Sequence, residues 1–359
     1  MATEARTEPV PAHGRRPRVN IVPLIGLSLV ALLIVWLIVN LIKTPDVFLK
    51  ATLIGVTNGS VYGLIALGYT LVYGILELIN FAHGDLFMLG CMMVMSMVAA
   101  FGLTAGDPGY VVWPLIFGMG AIAMAACGTI NITIERIAYK PLRHAPRLAP
   151  LITAIAMSFI LQNIAIIWKG PNTVTIDQGP AGGAAFLPQG TVFTIGNVSY
   201  SWPSLIVVLL TIPVLVVLMW LVQKTRQGKA MRATAQDREA AAMMGIDVNR
   251  TISFTFLLAG SLAGAAGLVF SLYYTNVRFD TGFQIGLIAF TAAVLGGIGN
   301  LPGAVLGALL IGFVQAYNNS LSWHDPGSDW TQSIVFAILI LILVFRPEGL
   351  LGERTPEGT

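Results

Sequence analysis

The sequence predicts an all-α fold, a polytopic transmembrane helical bundle of about ten membrane segments. Three observations carry that expectation. The 359 residues are 56% hydrophobic and 10% charged, with a mean hydropathy of +0.79, whereas soluble domains are roughly half apolar and about a quarter charged. Apolar runs recur along the chain at the length of about 20 residues that crosses a bilayer. Finally, of the 20 Lys and Arg, all but Lys43, Lys50, Lys169 and Arg278 fall in the N-terminal tail, the loops 135–147 and 223–250, and the C-terminal tail. Ten crossings with both ends inside place those basic pieces on the cytoplasmic side, as the positive-inside bias requires.

Residues 1–20 are polar, rich in Pro and Arg, and close with GRRPRVN. Nothing in them could build a core, and a disordered cytoplasmic tail is expected. The apolar run 21–42 is longer than a signal-peptide h-region of about 7 to 15 residues, and no small-x-small cleavage site follows. It reads as a retained N-terminal transmembrane helix over 21–43, with Arg15, Arg16 and Arg18 ahead of it holding the terminus inside. Further segments are expected at 51–76, 81–101, 111–134, 148–168, 202–222, 252–274, 285–298, 303–321 and 331–345. The run 285–298 is short and 331–345 barely reaches; short segments broken by Gly and Pro have the character of cavity-lining or re-entrant helices. A short tail, 353–359, returns to the cytoplasm.

Lipid removes the hydrophobic drive for helix association, so small residues must let backbones approach. Gly55, Gly59 and Gly63, Gly260 and Gly264, and Gly303 and Gly307 recur at every fourth position in their runs. They are expected at helix contacts. Cys91 and Cys127 lie in apolar runs without metal or disulfide spacing and read as packing residues. The longest outer loop, 169–201, is rich in Gly, Pro and Thr. It suits either contact with a soluble external partner or a plain surface role.

The polar, basic loop 223–250, QKTRQGKAMRATAQDREAAAMMGIDVNR, stands between two apolar runs without Lys or Arg. Asp237 can accept the free N–H groups of a short helix over 238–244, and Gly245 can end it in a left-handed conformation. Met243, Met244 and Ile246 then make its tip apolar. Flexible Met side chains suit a surface that packs into a partner's groove; a helix resting on the bilayer surface is the alternative.

A second stretch, 62–90, places Tyr69 and Tyr73 one turn apart on the face that also holds Tyr62. Glu77, Asn80, His83 and Asp85 follow within nine positions. Ionisable residues at membrane depth are costly and face a cavity, a partner or one another. Two readings stay open. His83 and Asp85 form a charge-assisted pair or bond the free backbone of a broken helix, or the stretch is a tight cytoplasmic turn with Glu77 and Asp85 hydrated and Asn80 capping the next helix.

No GxxxxGK[ST] phosphate loop, HExxH pair or nucleophile–base motif is present, so no catalytic residue, metal or cofactor is expected. The formal charge of +3 is dispersed among loops and does not imply a nucleic-acid partner. Energy for any transport must come from an ion gradient or another subunit.

Three stretches carry a resemblance. INFAHGDLFMLG at 79–90, RATAQDREAAAMMGIDVNR at 232–250 and AVLGGIGNLPGAVLGALLIG at 293–312 resemble the signature regions of the permeases of branched-chain amino-acid ATP-binding-cassette importers. The likeness is closest to the first of the family's two paralogous permeases, the LivH type, and runs over 47–352. Glu239-Ala240-Ala241, three residues, then Gly245 resembles the EAA motif that docks on the ATPase subunit; the later Ile-x-Leu-Pro part is missing, which leaves the fine docking geometry open. The segment 1–43 is additional to the core of the family. The resemblance implies an ABC-importer permease domain over 47–352 in a bacterial plasma (inner) membrane. It further implies a paralogous permease beside this chain, two ATPase subunits beneath, an external solute-binding protein, and leucine, isoleucine and valine as solutes. On it, Glu239, Ala240 and Gly245 are coupling residues supported by Arg232 and Asp237, while Tyr69, Tyr73, Asn80, His83 and Asp85 are candidates for the pathway or its gate. Other readings are the same machine moving urea, a short amide or another amino acid; an ion-coupled secondary transporter using Glu77, His83 and Asp85; and a passive channel constricted at GGIGNLPG.

Overall fold

The computed structural model describes residues 21–143, 145–146, 148–321, 327–346 and 348–352. The tails 1–20 and 353–359 lie outside the described residues. The chain divides into two units, Met1–Val39 and Asn40–Thr359. The described part of the first is the beginning of α1 (Ile21–Lys43), a continuous helix as the sequence predicts.

Each later apolar run is also a helix. In chain order they are α2 (Pro45–Leu76), α3 (Ala82–Phe101), α4 (Gly109–Ile134), α5 (Leu148–Lys169) and α6 (Trp202–Lys224). The basic loop adds α7 (Arg226–Gln236) and α8 (Arg238–Met243), and then come α9 (Val248–Tyr274), α10 (Thr281–Gly296), α11 (Leu301–Ser320) and α12 (Thr331–Phe345). Among the described residues eight helices are long and apolar enough to span a membrane: α2 to α6, α9, α11 and α12. The expectation of about ten is therefore slightly loose. α10 has 16 residues, a rise of about 24 Å against a hydrocarbon core of about 30 Å.

Local chemistry sets the helix ends. Pro45, Pro203 and Pro302 sit in first turns, where a missing N–H costs nothing. Asn300 caps α11 by accepting from the Gly303 amide at 2.9 Å. Gly102 closes α3 in the left-handed region. α4 continues past Ile134 through a π-helical turn, Glu135–Tyr139, and a 3-10 turn, Lys140–Leu142.

α2 is the buried centre of the bundle, with side chains from Thr57 to Val72 inside. It packs along α11 through the expected glycines: a Cβ on Gly59 would meet the Leu309 backbone, and one on Gly312 would meet that of Gly59. Gly260 and Gly264 hold α9 against α4, and Gly303 and Gly307 hold α11 against α10. Cys91 and Cys127 are free and buried, as packing residues should be. In contrast α5, α6 and α12 show large apolar side chains outward, among them Phe159, Trp220 and Ile340, the faces that lipid would cover.

The connections gather at two ends. At one, residues 75–78, 142, 143, 145 and 234–238 surround a common cleft, and the GGIGN turn lies beside Gln223 and Arg232. The stretch 349–352 is pinned there as well, with Leu350 and Leu351 donating to the Leu295 and Gly296 carbonyls. The other end carries the strands. β1 (Val174–Thr175) pairs antiparallel with β4 (Asn276–Val277), and β2 (Thr191–Ile195) with β3 (Val198–Ser201). The outer loop is thus partly a hairpin around Gly196-Asn197, a Gly-Asn turn being a recognised hairpin signal.

Candidate functional site

The basic loop is a chain of three capped helices. Thr225 caps α7, its hydroxyl accepting from the Gly228 amide at 3.1 Å. Asp237 caps α8, one carboxylate oxygen accepting from Glu239 N at 2.8 Å and Ala240 N at 3.0 Å. Asp247 caps α9, accepting from Arg250 N at 3.0 Å. α8 ends as the sequence predicts: Gly245 has φ +80°, its N–H reaches Ala242 O at 3.0 Å, and Ile246 N–H reaches Ala241 O at 3.1 Å. These two bonds are the paired closure of a Schellman motif, which needs a residue free to take positive φ.

The coupling candidates separate by face. Ala241 is buried and seats α8 on the protein, while Ala240 is half-buried. Glu239 is exposed, and Met243 and Met244 are 83% and 82% exposed. Arg232 turns back to donate to the Val222 carbonyl at the end of α6. Arg238 reaches across to Ile75 O at the end of α2, at 2.8 Å. A cleft of about 310 Å³ lies under the α7–α8 elbow, lined by Ile75, Glu77, Leu142, Arg143, Asp237 and Arg238 among others.

Beside this cleft Glu135, fully buried, pairs with Arg143 and accepts from the Ser253 hydroxyl at 2.8 Å. Arg143 also donates to Asn249 Oδ1 at 2.5 Å. The cluster ties the end of α4 to the first turns of α9. Sequence reading missed it, because its contacts to α9 cross more than a hundred positions.

The stretch after α2 is neither of the two arrangements expected of it. Glu77 takes the left-handed conformation, φ 54°, with its N–H on Tyr73 O at 2.7 Å, and is exposed, as the hydrated reading has it. The chain then turns back, and Asn80, His83 and Asp85 are buried. Hydration of Asp85 is therefore corrected: its carboxylate takes hydrogen bonds from the Ser158 hydroxyl and from Gln162 Nε2, the latter at 3.1 Å. The His83–Asp85 pair is corrected too. α3 begins at Ala82, and residues two apart on a helix do not face each other. His83 instead packs edge-on to Tyr69, ring centroids 4.8 Å apart, and neither ring nitrogen has a hydrogen-bond partner. The Nε2–Cε1 edge of the ring sits against α2 at Gly68, where any Cβ would overlap it. Asn80 does not cap α3 with its side chain; its Oδ1 accepts from Tyr139 OH at 2.7 Å, and its backbone carbonyl receives His83 N–H at 3.1 Å.

Tyr69, Tyr73 and Asn80 surround a cavity of about 10 Å³ with Phe290 and Ile298, so the structure brings these three together and leaves Asp85 one shell away. Tyr62 belongs to a different group. Its hydroxyl donates to Gln315, which also receives Asn58 Nδ2 at 3.4 Å, and Tyr274 OH donates to Asn58 Oδ1 at 2.9 Å. This polar seam approaches a larger cavity, about 790 Å³, at the strand-bearing end, lined by Lys50, Ser201, Ser204, Tyr273 and Tyr274 among others. The signal for these partners was present in the sequence. Ser158 and Gln162, and Asn58 and Tyr62, stand one helical turn apart in otherwise apolar runs. Among the described residues no group of three or more His, Cys, Asp or Glu is placed to hold a metal ion.

Comparison with known proteins gives a consistent result. Residues 51–344 match the family described as branched-chain amino acid transport system / permease component. The chain is 37% identical over 312 residues to the high-affinity branched-chain amino acid transport system permease protein LivH of Escherichia coli (strain K12), covering 86% of this chain and 97% of that one. It is 36% identical over 318 residues to the permease protein BraD of Pseudomonas aeruginosa, covering 87% and 99%. Among solved structures it is similar to a chain of PsaBC from Streptococcus pneumoniae in complex with Fab, at 13% identity and a TM-score of 0.40 over 88% of this chain and 97% of that chain.

Proposed function

The chain belongs to the permease family of branched-chain amino acid transport systems, and from that premise we propose that it translocates leucine, isoleucine and valine as one permease of an ATP-driven importer. A paralogous permease stands beside it, two ATPase subunits bind at the basic end, and an external binding protein delivers the solute to the strand-bearing end. The basic end faces the bacterial cytoplasm, the positive-inside side, with both termini there. The domain 47–352 is the permease core and 21–43 an additional helix.

The observation that carries the reading is α8. A six-residue helix, capped at one end by Asp237 and closed at the other by Gly245, stands at the basic end with Glu239, Met243 and Met244 exposed. Water alone does not favour two exposed Met side chains, and a partner's groove would cover them. Glu239 and Ala240 form the docking face, Arg232, Asp237 and Gly245 hold its shape, and closure of the ATPase pair moves it. The Tyr69–Tyr73–Asn80 cavity with His83 against it is the candidate gate, and Asp85 holds α3 to α5 next to it.

The competing classes lose their structural basis. A proton relay through Glu77, His83 and Asp85 lacks a hydrogen-bonded route, since Glu77 is exposed and His83 bonds neither neighbour. The GGIGN turn is packed on the backbone of Gly349 and Gly352, which lends a constriction there no support. Glu239→Arg tests the assignment. Membrane insertion is expected to be unchanged while uptake uncouples from ATP hydrolysis; normal uptake by that variant would remove the docking role.

A further inference from the structure

We infer that Arg238 is the hydrogen-bonded link through which a displacement of α8 reaches α2, a positioning residue for transport that never touches solute. The inference rests on the reading of the chain as an ATP-driven permease. With six residues, α8 is too short to be held by its own backbone bonds. Its caps fix its shape, Ala241 seats it, and its outer face is left for a partner. Arg238 opens the helix and sends its side chain the other way, Nη2 donating to Ile75 O at 2.8 Å across 163 positions of sequence.

The acceptor is what gives this bond its meaning. Ile75 lies in the last turn of α2, where carbonyls lack partners within the helix and the helix dipole presents its negative end. The chain's own reversal serves Tyr73 O, through the Glu77 N–H at 2.7 Å. The Ile75 carbonyl is served by the loop. A guanidinium there is both donor and counter-charge, so the α2 terminus follows α8 when α8 moves. One and two turns further in, α2 carries Tyr73 and Tyr69, and Tyr69 contacts the rings of His83 and Phe290. Tilting the terminus therefore moves the aromatic group that lines the Tyr69–Tyr73–Asn80 cavity. Arg232 differs in kind, because its carbonyl partner, Val222, belongs to α6, the helix leading directly into the loop. α7 also rests on α2, a contact that removal of the Arg238 guanidinium leaves in place.

The test uses the complete complex in proteoliposomes, with leucine uptake and ATP hydrolysis measured in the same vesicles and recovery of the ATPase subunits measured on purification. For Arg238→Ala, uptake per ATP hydrolysed is expected to fall by roughly tenfold or more, the ATPase subunits being recovered as in the wild type. Arg238→Lys keeps a charge and a donor and is expected to stay within about threefold of wild type. If the Ala variant does not accumulate in the membrane, Arg238→Met, which keeps the apolar stem and lacks the donor, takes its place in the same comparison. An unchanged ratio in the donor-less variant overturns the inference, as does loss of the ATPase subunits from it, or a Lys variant as defective as Ala. Uptake by the wild-type complex that needs no nucleotide sinks the permease reading itself, and this inference with it.

Discussion

Asp237→Ala isolates one side chain of the loop whose task can be worked out in numbers. Its carboxylate satisfies two amides of α8, at 2.8 and 3.0 Å. Loss of such a cap costs about 1 kcal/mol, within a range of about 0.5 to 2. The cost falls on α8 alone, because Asp237 is exposed and contributes nothing to the core. A local penalty of about 1 kcal/mol raises the opened population about 5-fold, and the full range corresponds to about 2- to 30-fold. The amides that report it are Ala241, Met244, Gly245 and Ile246, each bonded to a carbonyl within 237–242. Hydrogen exchange at these four positions is expected to quicken by that factor, while exchange within α9 and the global melting temperature stay as in the wild type. Asp237→Asn, a cap of similar strength, is expected to restore slow exchange. Equal exchange in Asp237→Ala and wild type would mean that packing of Ala241, and not the cap, holds α8. A matching acceleration in α9 would mean that the loop opens as one unit.

Two further outcomes follow from ion pairs at opposite ends. Arg143→Met leaves the fully buried Glu135 carboxylate with the Ser253 hydroxyl as its remaining partner, and breaking a buried pair in this way costs about 3 to 5 kcal/mol. The melting temperature in detergent is expected to drop, and the double variant with Glu135→Gln to regain most of the loss; a double variant as unstable as the single one would show that Arg143 acts by packing. At the other end, hydrogen bonding from Arg278 holds the Asp280 carboxyl below its usual range. A lowered carboxylate value stabilises above the ordinary range and is lost as pH falls through the lowered one. Asp280→Asn is therefore expected to melt slightly below wild type at pH 7, and the gap should narrow as pH falls below the ordinary carboxylate value of about 3.9 and through the lowered one. It should also shrink in salt, since the pair is solvent-screened; a gap that salt leaves unchanged would assign it to something other than charge.

What could be read in the sequence divides by distance along the chain. The capping of α8 by Asp237 and its closure at Gly245 were legible because both depend on residues within eight positions. The helix–helix contacts at Gly59, Gly260 and Gly307 were legible because an every-fourth glycine in an apolar run has few other uses. α7 was not legible although Thr225, a good cap, precedes a run of Lys, Ala, Met and Arg, because its short, polar and basic sequence carries no wide apolar stripe. The His83–Asp85 pairing failed on a point of geometry, the start of α3 at Ala82, which turns the two side chains to different neighbours. The actual partners of Asp85, Ser158 and Gln162, lie on α5, and no local pattern in 77–90 names them. Long-range polar contacts are fixed by packing, and packing is what one sequence conceals.

The last turn of α10 shows a consequence of another kind. Its terminal carbonyls, on Leu295 and Gly296, are met by the amides of Leu350 and Leu351, and Asn300, the cap of α11, donates to Leu351 O at 2.8 Å. Two helix ends are thus completed by a stretch of backbone made after both helices and after α12. Last-turn carbonyls have no partner within their own helix, so those of α10 gain a protein partner only when that stretch docks. The order of synthesis is therefore also an order of consolidation: the GGIGN corner is among the first places α10 and α11 meet and among the last to be finished, and residues 349–352 act as its keystone.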